Sequence, residues 1–242
     1  MVNYISIKLL RKARSYLKDR ILLITKDDTW SHQAASESIK LFGKQIVWIK
    51  ENFEESLNFE LANSPPKITL ISFLCPRIIP SDVLNLVRLA LNFHPGPSNY
   101  PGIGCYNFAI YEKATTYGAI CHHMHAKVDS GPIVTERLFP ISADISVEKL
   151  KLKTMEILLE IFIETLHIIR EELLLPSSNL KWSRRPFTRK QLNMLTRITP
   201  DMSPNEITQR IKATVYPGQA GPVINVAGHD FYYSIPDREP IA

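Results

Sequence analysis

The sequence predicts an α/β fold: a doubly wound, mostly parallel sheet covered by helices on both faces, with a small C-terminal α+β extension. Three observations carry that expectation. Short apolar runs rich in branched side chains alternate with stretches of helical periodicity through the first half of the chain. The runs are apolar almost continuously, as strands buried on both faces are. The 242 residues, 45% of them apolar, suffice for one substantial core and an appendage but not for two full-sized domains. Together they describe a Rossmann-like architecture.

The elements follow in order. Residues 1–20, MVNYISIKLLRKARSYLKDR, are basic and amphipathic and read as a surface helix. Charges interrupt them throughout, so the apolar run of a secretory signal is missing. ILLITK at 21–26 is a strand, and a helix runs from about Ser31 to Phe42, with Ala34, Ala35, Ile39 and Leu41 near one face. QIVWIK is the next strand, LANSPP a turn, KITLISFL a second buried strand, and PSDVLNLVRL a helix opened by Pro80 and Ser81. ALNF at 90–93 is a short strand, and the loop HPGPSNYPGIG leads from it into a helix at CYNFAIYEK. YGAICHHMH and PIVTERLFPI are neighbouring strands joined by AKVDSG. A long helix spans about Ser146 to Glu171, its apolar positions from Leu150 to Ile169 repeating at helical spacing. The Pro-bounded polar stretch 176–186 reads as a linker. The extension, 187–242, holds a helix capped by Ser203 with Glu206 in capping-box spacing, then strands GPVINV and FYYSI turned by AGHD. The division is thus 1–20, a main domain over 21–175, the linker, and the extension.

Bulk properties narrow the setting. With 22% charged residues and no long uninterrupted apolar run, no segment would span a bilayer as a helix, so a soluble protein is expected. Cys75, Cys105 and Cys121 are odd in number and widely spaced, which suggests neither a disulfide framework nor a zinc knuckle and fits a reducing cytoplasm. A net charge of +5 favours anionic partners: a nucleotide, a folate tail or RNA.

Two segments carry candidate chemistry. In ALNFHPG, Asn92 and His94 are two apart on a strand, so both project to one side at the strand end where open α/β sheets place ligands. In GAICHHMHAKVDSGPIV, Asp129 lies on a loop from which a carboxylate can reach back to orient an imidazole. Alone, each has an ordinary structural explanation as a turn former or a satisfied histidine. In the HHMH run, His123 and His125 share a face, but no third ligand is placed beside them, and no metal is expected.

Taken together, these segments resemble the signature of the folate-dependent formyltransferase family. Asn92, Phe93 and His94 match its Asn-x-His. Gly118 to Met124 match its Gly-Val-Thr-Val-His-x-Met strand, with His122 and Met124 in place, and Asp129, Gly131, Pro132 and Ile133 match its Asp-x-Gly-Pro-Ile. ITLISFLCPRIIPSDVL is similar to the segment whose backbone contacts the pterin, and the likeness runs over roughly residues 20 to 175. The resemblance implies direct formyl transfer from 10-formyltetrahydrofolate to an amine, with Asn92 and His94 stabilising the oxyanion and Asp129 holding the His94 tautomer. By position, Phe73, Leu74, Ile79 and Val128 would line the pterin slot, largely through backbone groups. His125 stands where relatives usually have an acidic residue.

The acceptor is read from the loop and the tail. PGPSNYPG most resembles the loop of enzymes that formylate nucleotide-linked 4-amino-4,6-dideoxy sugars for O-antigen or related glycans, with Ser98, Tyr100 and Asn107 as candidate sugar contacts. Arg184 and Arg185 could meet a diphosphate. ITPDMSPNEITQRIKATVYPG is similar to the entry into the C-terminal domain of methionyl-tRNA formyltransferases, but a complete RNA-binding barrel needs roughly a hundred residues, so a nucleic-acid partner is not expected. A methionyl-tRNA formyltransferase-like enzyme with a truncated tail, a folate- or nucleotide-binding module without turnover, and a formyl hydrolase are the alternatives; a homodimer is compatible with all of them.

Overall fold

The computed structural model describes residues 20–63, 67–171 and 173–234; the basic helix expected over 1–20 lies, apart from Arg20, outside the described residues. The elements are β1 (Arg20–Thr25), α1 (Thr29–Phe42), β2 (Ile46–Ile49), α2 (Phe53–Asn63), β3 (Ile68–Phe73), α3 (Ser81–Leu86), β4 (Leu89–His94), α4 (Cys105–Tyr111), β5 (Thr116–His123), β6 (Ile133–Pro140), α5 (Val147–Arg170), α6 (Arg189–Leu195), β7 (Arg197–Ile198), α7 (Pro204–Thr214), β8 (Val223–Val226) and β9 (His229–Tyr232).

Six strands form one sheet in the order β2-β1-β3-β4-β5-β6. The pairs from β2 to β4 are parallel, β5 adds antiparallel to β4, and β6 adds antiparallel to β5. This is the expected mostly parallel α/β sheet. Pleating sorts each buried strand between two cores. Ile21 and Leu23 of β1, with Leu91 and Phe93 of β4, pack under α1 and α5 against Phe162 and Leu166, while Leu22 and Ile24 join Leu57 of α2 and Val83 of α3 on the other face. Phe93 and Phe162 meet with ring centroids 4.9 Å apart. Because Leu91 and Phe93 are committed to the α5 face, Asn92 and His94 turn to the opposite side, as their spacing requires.

Two helices escape the sequence reading. The stretch taken as a turn at 61–66 begins inside α2, which extends to Asn63; α2 buries only Leu57, so its periodicity is faint. α6 begins at Thr188, which forms a capping box with Gln191. Thr-x-x-Gln is a legible helix start. At α7 the hydroxyl of Ser203 accepts from the Glu206 amide as expected, but the Glu206 carboxylate does not reach back to the cap. It accepts instead from Tyr111 and Arg210.

The extension packs onto the main domain rather than hanging from it. Ala213 of α7 and Leu195 of α6 are buried with Tyr100, Phe108 and Tyr117, and the Asn107 amide donates to the Ala213 carbonyl at 2.7 Å. β7, β8 and β9 form a separate three-stranded sheet. Among the described residues, no helix is long and apolar enough to cross a membrane.

Candidate active site

The site forms where β4 ends and the loop 124–132 leaves β5. The loop is pinned at its neck by the His123 amide, which donates to the Pro132 carbonyl. A register irregularity between Cys121 and His122 marks where β5 departs from regular pairing, as bulges beside functional sites do. Asp129 sits in the loop with φ at 41°, a left-handed conformation that Asp tolerates better than most residues. It is 6% exposed.

Four side chains converge here. One carboxylate oxygen of Asp129, Oδ2, lies 3.3 Å from His94 Nδ1 and accepts from the Gly102 amide at 2.7 Å. The other, Oδ1, lies 3.3 Å from His122 Nε2. Asn92 Nδ2 is 3.1 Å from that same His122 nitrogen. His122 Nδ1 faces the His123 carbonyl at 2.8 Å, and since a carbonyl only accepts, Nδ1 carries the proton. His122 Nε2 stands between Asn92 Nδ2 and Asp129 Oδ1: it accepts from the amide in the neutral ring and donates to the carboxylate when the ring is protonated. His94 Nε2 faces the Tyr100 carbonyl at 2.9 Å, so that nitrogen donates.

Burial works to raise the Asp129 pKa. The charge of His94, the hydrogen bond and charge of His122, and the Gly102 amide outweigh it and hold the carboxyl well below the usual carboxylate range. A depressed carboxyl contributes stability that is present above its unfolded value, about 3.9, and is lost as pH falls through the folded value. Thermal unfolding followed from pH 6 down to pH 2 should therefore show the wild-type protein losing stability below about pH 4 more steeply than Asp129→Asn. Identical acid limbs would show that the carboxylate is not held in this way.

The trio lines a cavity of about 370 Å³ whose wall also includes Leu74, Ile79, Leu84, Ile103, Met124 and Val128. Leu74, Ile79 and Val128 thus stand on the wall of this cavity. Phe73 does not: its side chain is fully buried beneath the sheet, with its ring centroid 5.0 Å from that of Phe162. Alternation along β3 turns it away from the site. Two of the candidate sugar contacts, Asn107 and Tyr100, also need correction. The Asn107 amide is spent on Ala213. The Tyr100 ring is buried against Tyr117 and Phe187, and only its carbonyl reaches the site. Ser98 is held through its backbone, its amide donating to Glu136 and its carbonyl accepting from Ser183.

His122 and Trp182 are the residues that sequence reasoning missed. His122 was visible as a motif position, but its contact with both Asn92 and Asp129 depends on strand pairing. Trp182 lies in the stretch taken as a linker. Its indole N–H donates to the Gly131 carbonyl at 2.8 Å, and its ring stands edge-on to His122 and His94 with centroids 5.1 and 6.0 Å away. The stretch is not a free tether. The Ser183 amide donates to Ser98, the Phe187 amide to Pro101, and the Phe187 carbonyl accepts from Ile103.

That stitching explains Gly102, whose φ is +87° and at which an added Cβ would strike the Phe187 backbone. Gly102→Ala should cost about 1 kcal/mol or more of stability from the left-handed backbone alone and should displace the amide that holds Asp129. Circular dichroism melts beside an activity assay check this, and a variant as stable and active as wild type would contradict it.

Cys105 is adjacent to the site, with its thiol 3.4 Å from the Pro95 carbonyl, but burial pushes its pKa up to about 11. It is no thiolate at neutral pH. Among the described residues, no group of three His, Cys, Asp or Glu is placed to hold a metal ion.

A family model described as formyl transferase matches residues 7–166. The phosphoribosylglycinamide formyltransferase of Haemophilus influenzae is 24% identical over 119 residues, 46% of this chain and 56% of that protein, so the chain spans little more than half of that curated relative. A sugar N-formyltransferase from Shewanella superposes with a TM-score of 0.71 at 15% identity, over 89% of this chain and 97% of its own. The N-formyltransferase of Helicobacter canadensis, solved with folinic acid and dTDP-3-aminofucose, superposes at 0.67 and 16%, over 87% and 85%. At such identities the superpositions show a shared fold.

Proposed function

The chain belongs to the formyl transferase family, and from that premise we propose that it moves a formyl group from 10-formyltetrahydrofolate to the amine of a nucleotide-linked 4-amino-4,6-dideoxy sugar destined for a surface glycan such as O-antigen. The observation that carries the reading is the buried Asp129 carboxylate between His94 and His122, with Asn92 beside it, on the wall of an apolar cavity.

The cavity suits a flat heterocycle walled by Leu74, Ile79 and Val128, and Arg77 and Arg189 among its lining residues suit the carboxylates of a folate tail. The donor supplies an activated formyl carbon. The acceptor nitrogen bonds to that carbon, the bond from the carbon to N10 breaks, and the proton lost by the amine balances the one gained at N10. Negative charge gathers on the formyl oxygen in between. Asn92 gives one N–H to His122 and has a second for that oxygen. His94 reaches it by exchanging the Tyr100 carbonyl for the substrate. Asp129 holds the His94 ring, and the amine proton passes to His94 or, through a water, to Asp129. No covalent enzyme intermediate is required, in keeping with a Cys105 that stays protonated.

The test is mass spectrometry of a panel of nucleotide-linked amino sugars incubated with the protein and 10-formyltetrahydrofolate. One formyl group gained by a 4-amino sugar is the expected outcome. Formylation of initiator methionyl-tRNA instead, or formate release without an acceptor, would refute the acceptor or the reaction respectively. The support for a cytoplasmic setting is the requirement for soluble folate and nucleotide sugar.

A further inference from the structure

A second and larger cavity lies on the other side of the Asp129 loop. It measures about 1090 Å³ and is bounded by residues 127–132 and by 180–186 of the stretch that carries Trp182. The two cavities share His125, Lys127, Val128 and Asp129, so they meet at the catalytic carboxylate.

Their walls differ in chemistry. The first is largely aliphatic around the trio. The second carries Lys127, Lys181, Arg184 and Arg185, and Asp129 is the one acidic group on its described wall. That carboxylate is already engaged by His94, His122 and Gly102. Arg184 is fixed in place: it donates to Glu112 at 2.7 Å and its guanidinium lies over the Tyr100 and Phe187 rings at 5.3 and 5.1 Å. Lys127, Lys181 and Arg185 are exposed, and none has a carboxylate within ion-pair distance among the described residues. Positive charge gathered without answering carboxylates on a concave wall raises the local concentration of anions. Trp182, half-buried between the histidines and this cavity, adds an aromatic surface.

Resting on the formyl-transfer reading, we propose that this cavity is the acceptor site and that Lys181 and Arg185, with Lys127 at the shared rim, bind the diphosphate of the nucleotide-linked sugar. The donor then occupies the first cavity and the acceptor the second, and the amine crosses toward the formyl carbon at Asp129, the wall common to both. The volume, about 1090 Å³, exceeds what a bare sugar needs and lies just above the usual range of small-molecule sites, roughly 300–1,000 Å³.

The experiment measures binding of dTDP, UDP and 5-formyltetrahydrofolate by calorimetry to the full chain and to Lys181→Glu/Arg185→Glu. Wild type should bind at least one of the nucleoside diphosphates, more weakly as salt rises. The double variant should lose about tenfold or more in that affinity while its affinity for 5-formyltetrahydrofolate and its melting temperature stay the same. Equal nucleoside diphosphate affinity in both proteins would overturn the assignment. So would a wild type that binds neither nucleotide yet formylates unphosphorylated amino sugars. Salt-dependent binding lost in the double variant, in a protein that formylates no amino sugar, would leave the site standing and remove the formyl-transfer reading.

Discussion

Asp129→Asn lowers kcat for formyl transfer by about 10²–10⁴-fold, the range spanned by loss of a positioned proton acceptor, and leaves the protein folded. The amide side chain has nearly the same shape, so its oxygen can still accept from one neighbour and the loop can close. What disappears is the negative charge shared by His94 Nδ1 and His122 Nε2, each 3.3 Å away. His94 Nδ1 then loses its anionic partner, and the amine proton has no anionic destination. Asp129→Ala has a second effect, because it leaves the Gly102 amide without the acceptor it meets at 2.7 Å, and an unsatisfied buried donor costs about 1–3 kcal/mol. Steady-state kinetics with melting curves on both variants separates the two contributions. An Asp129→Asn protein with near-normal kcat would take the carboxylate out of the chemistry.

Asn92→Ala lowers kcat by about 10²–10³-fold, as removal of one oxyanion donor does, with little change in affinity for the folate. The Asn92 amide meets His122 at 3.1 Å, and the contribution assigned to its second N–H arises only as charge develops on the formyl oxygen. The loss should therefore fall on kcat rather than on KM. Comparison with His122→Ala is informative, since that change leaves the Asn92 amide in place but unheld and should cost less. A larger loss in His122→Ala than in Asn92→Ala would make the histidine, not the amide, the principal group.

Much of this was legible in the chain because it rests on local pattern. The continuous apolar runs ILLIT and ITLISF became the two-faced strands β1 and β3. The two-residue spacing of Asn92 and His94 put both on the side away from Phe93. What was not legible depends on contacts distant in sequence. Nothing near Trp182 says that its N–H meets Gly131, 51 residues earlier, and Asn107 looks like a free amide until α7 brings the Ala213 carbonyl to it. Tyr100 misled for a related reason. An aromatic in a Pro/Gly loop suggests a ligand contact, yet the ring fills the core beneath the extension and only the carbonyl faces His94. Phe73 was lost to strand alternation, since adjacent residues on β3 cannot both face the cavity.

The central claim is that the formyl carbon passes directly from folate to a sugar nitrogen at Asn92, His94 and Asp129. Its most direct test supplies 10-formyltetrahydrofolate labelled at the formyl carbon, together with a dTDP-linked 4-amino-4,6-dideoxy sugar, and follows the label by NMR. Label in a formamide on the sugar nitrogen, with wild type but not with Asp129→Asn, is the predicted result. Label recovered only as free formate, or transferred equally well by the Asp129 variant, would contradict the account.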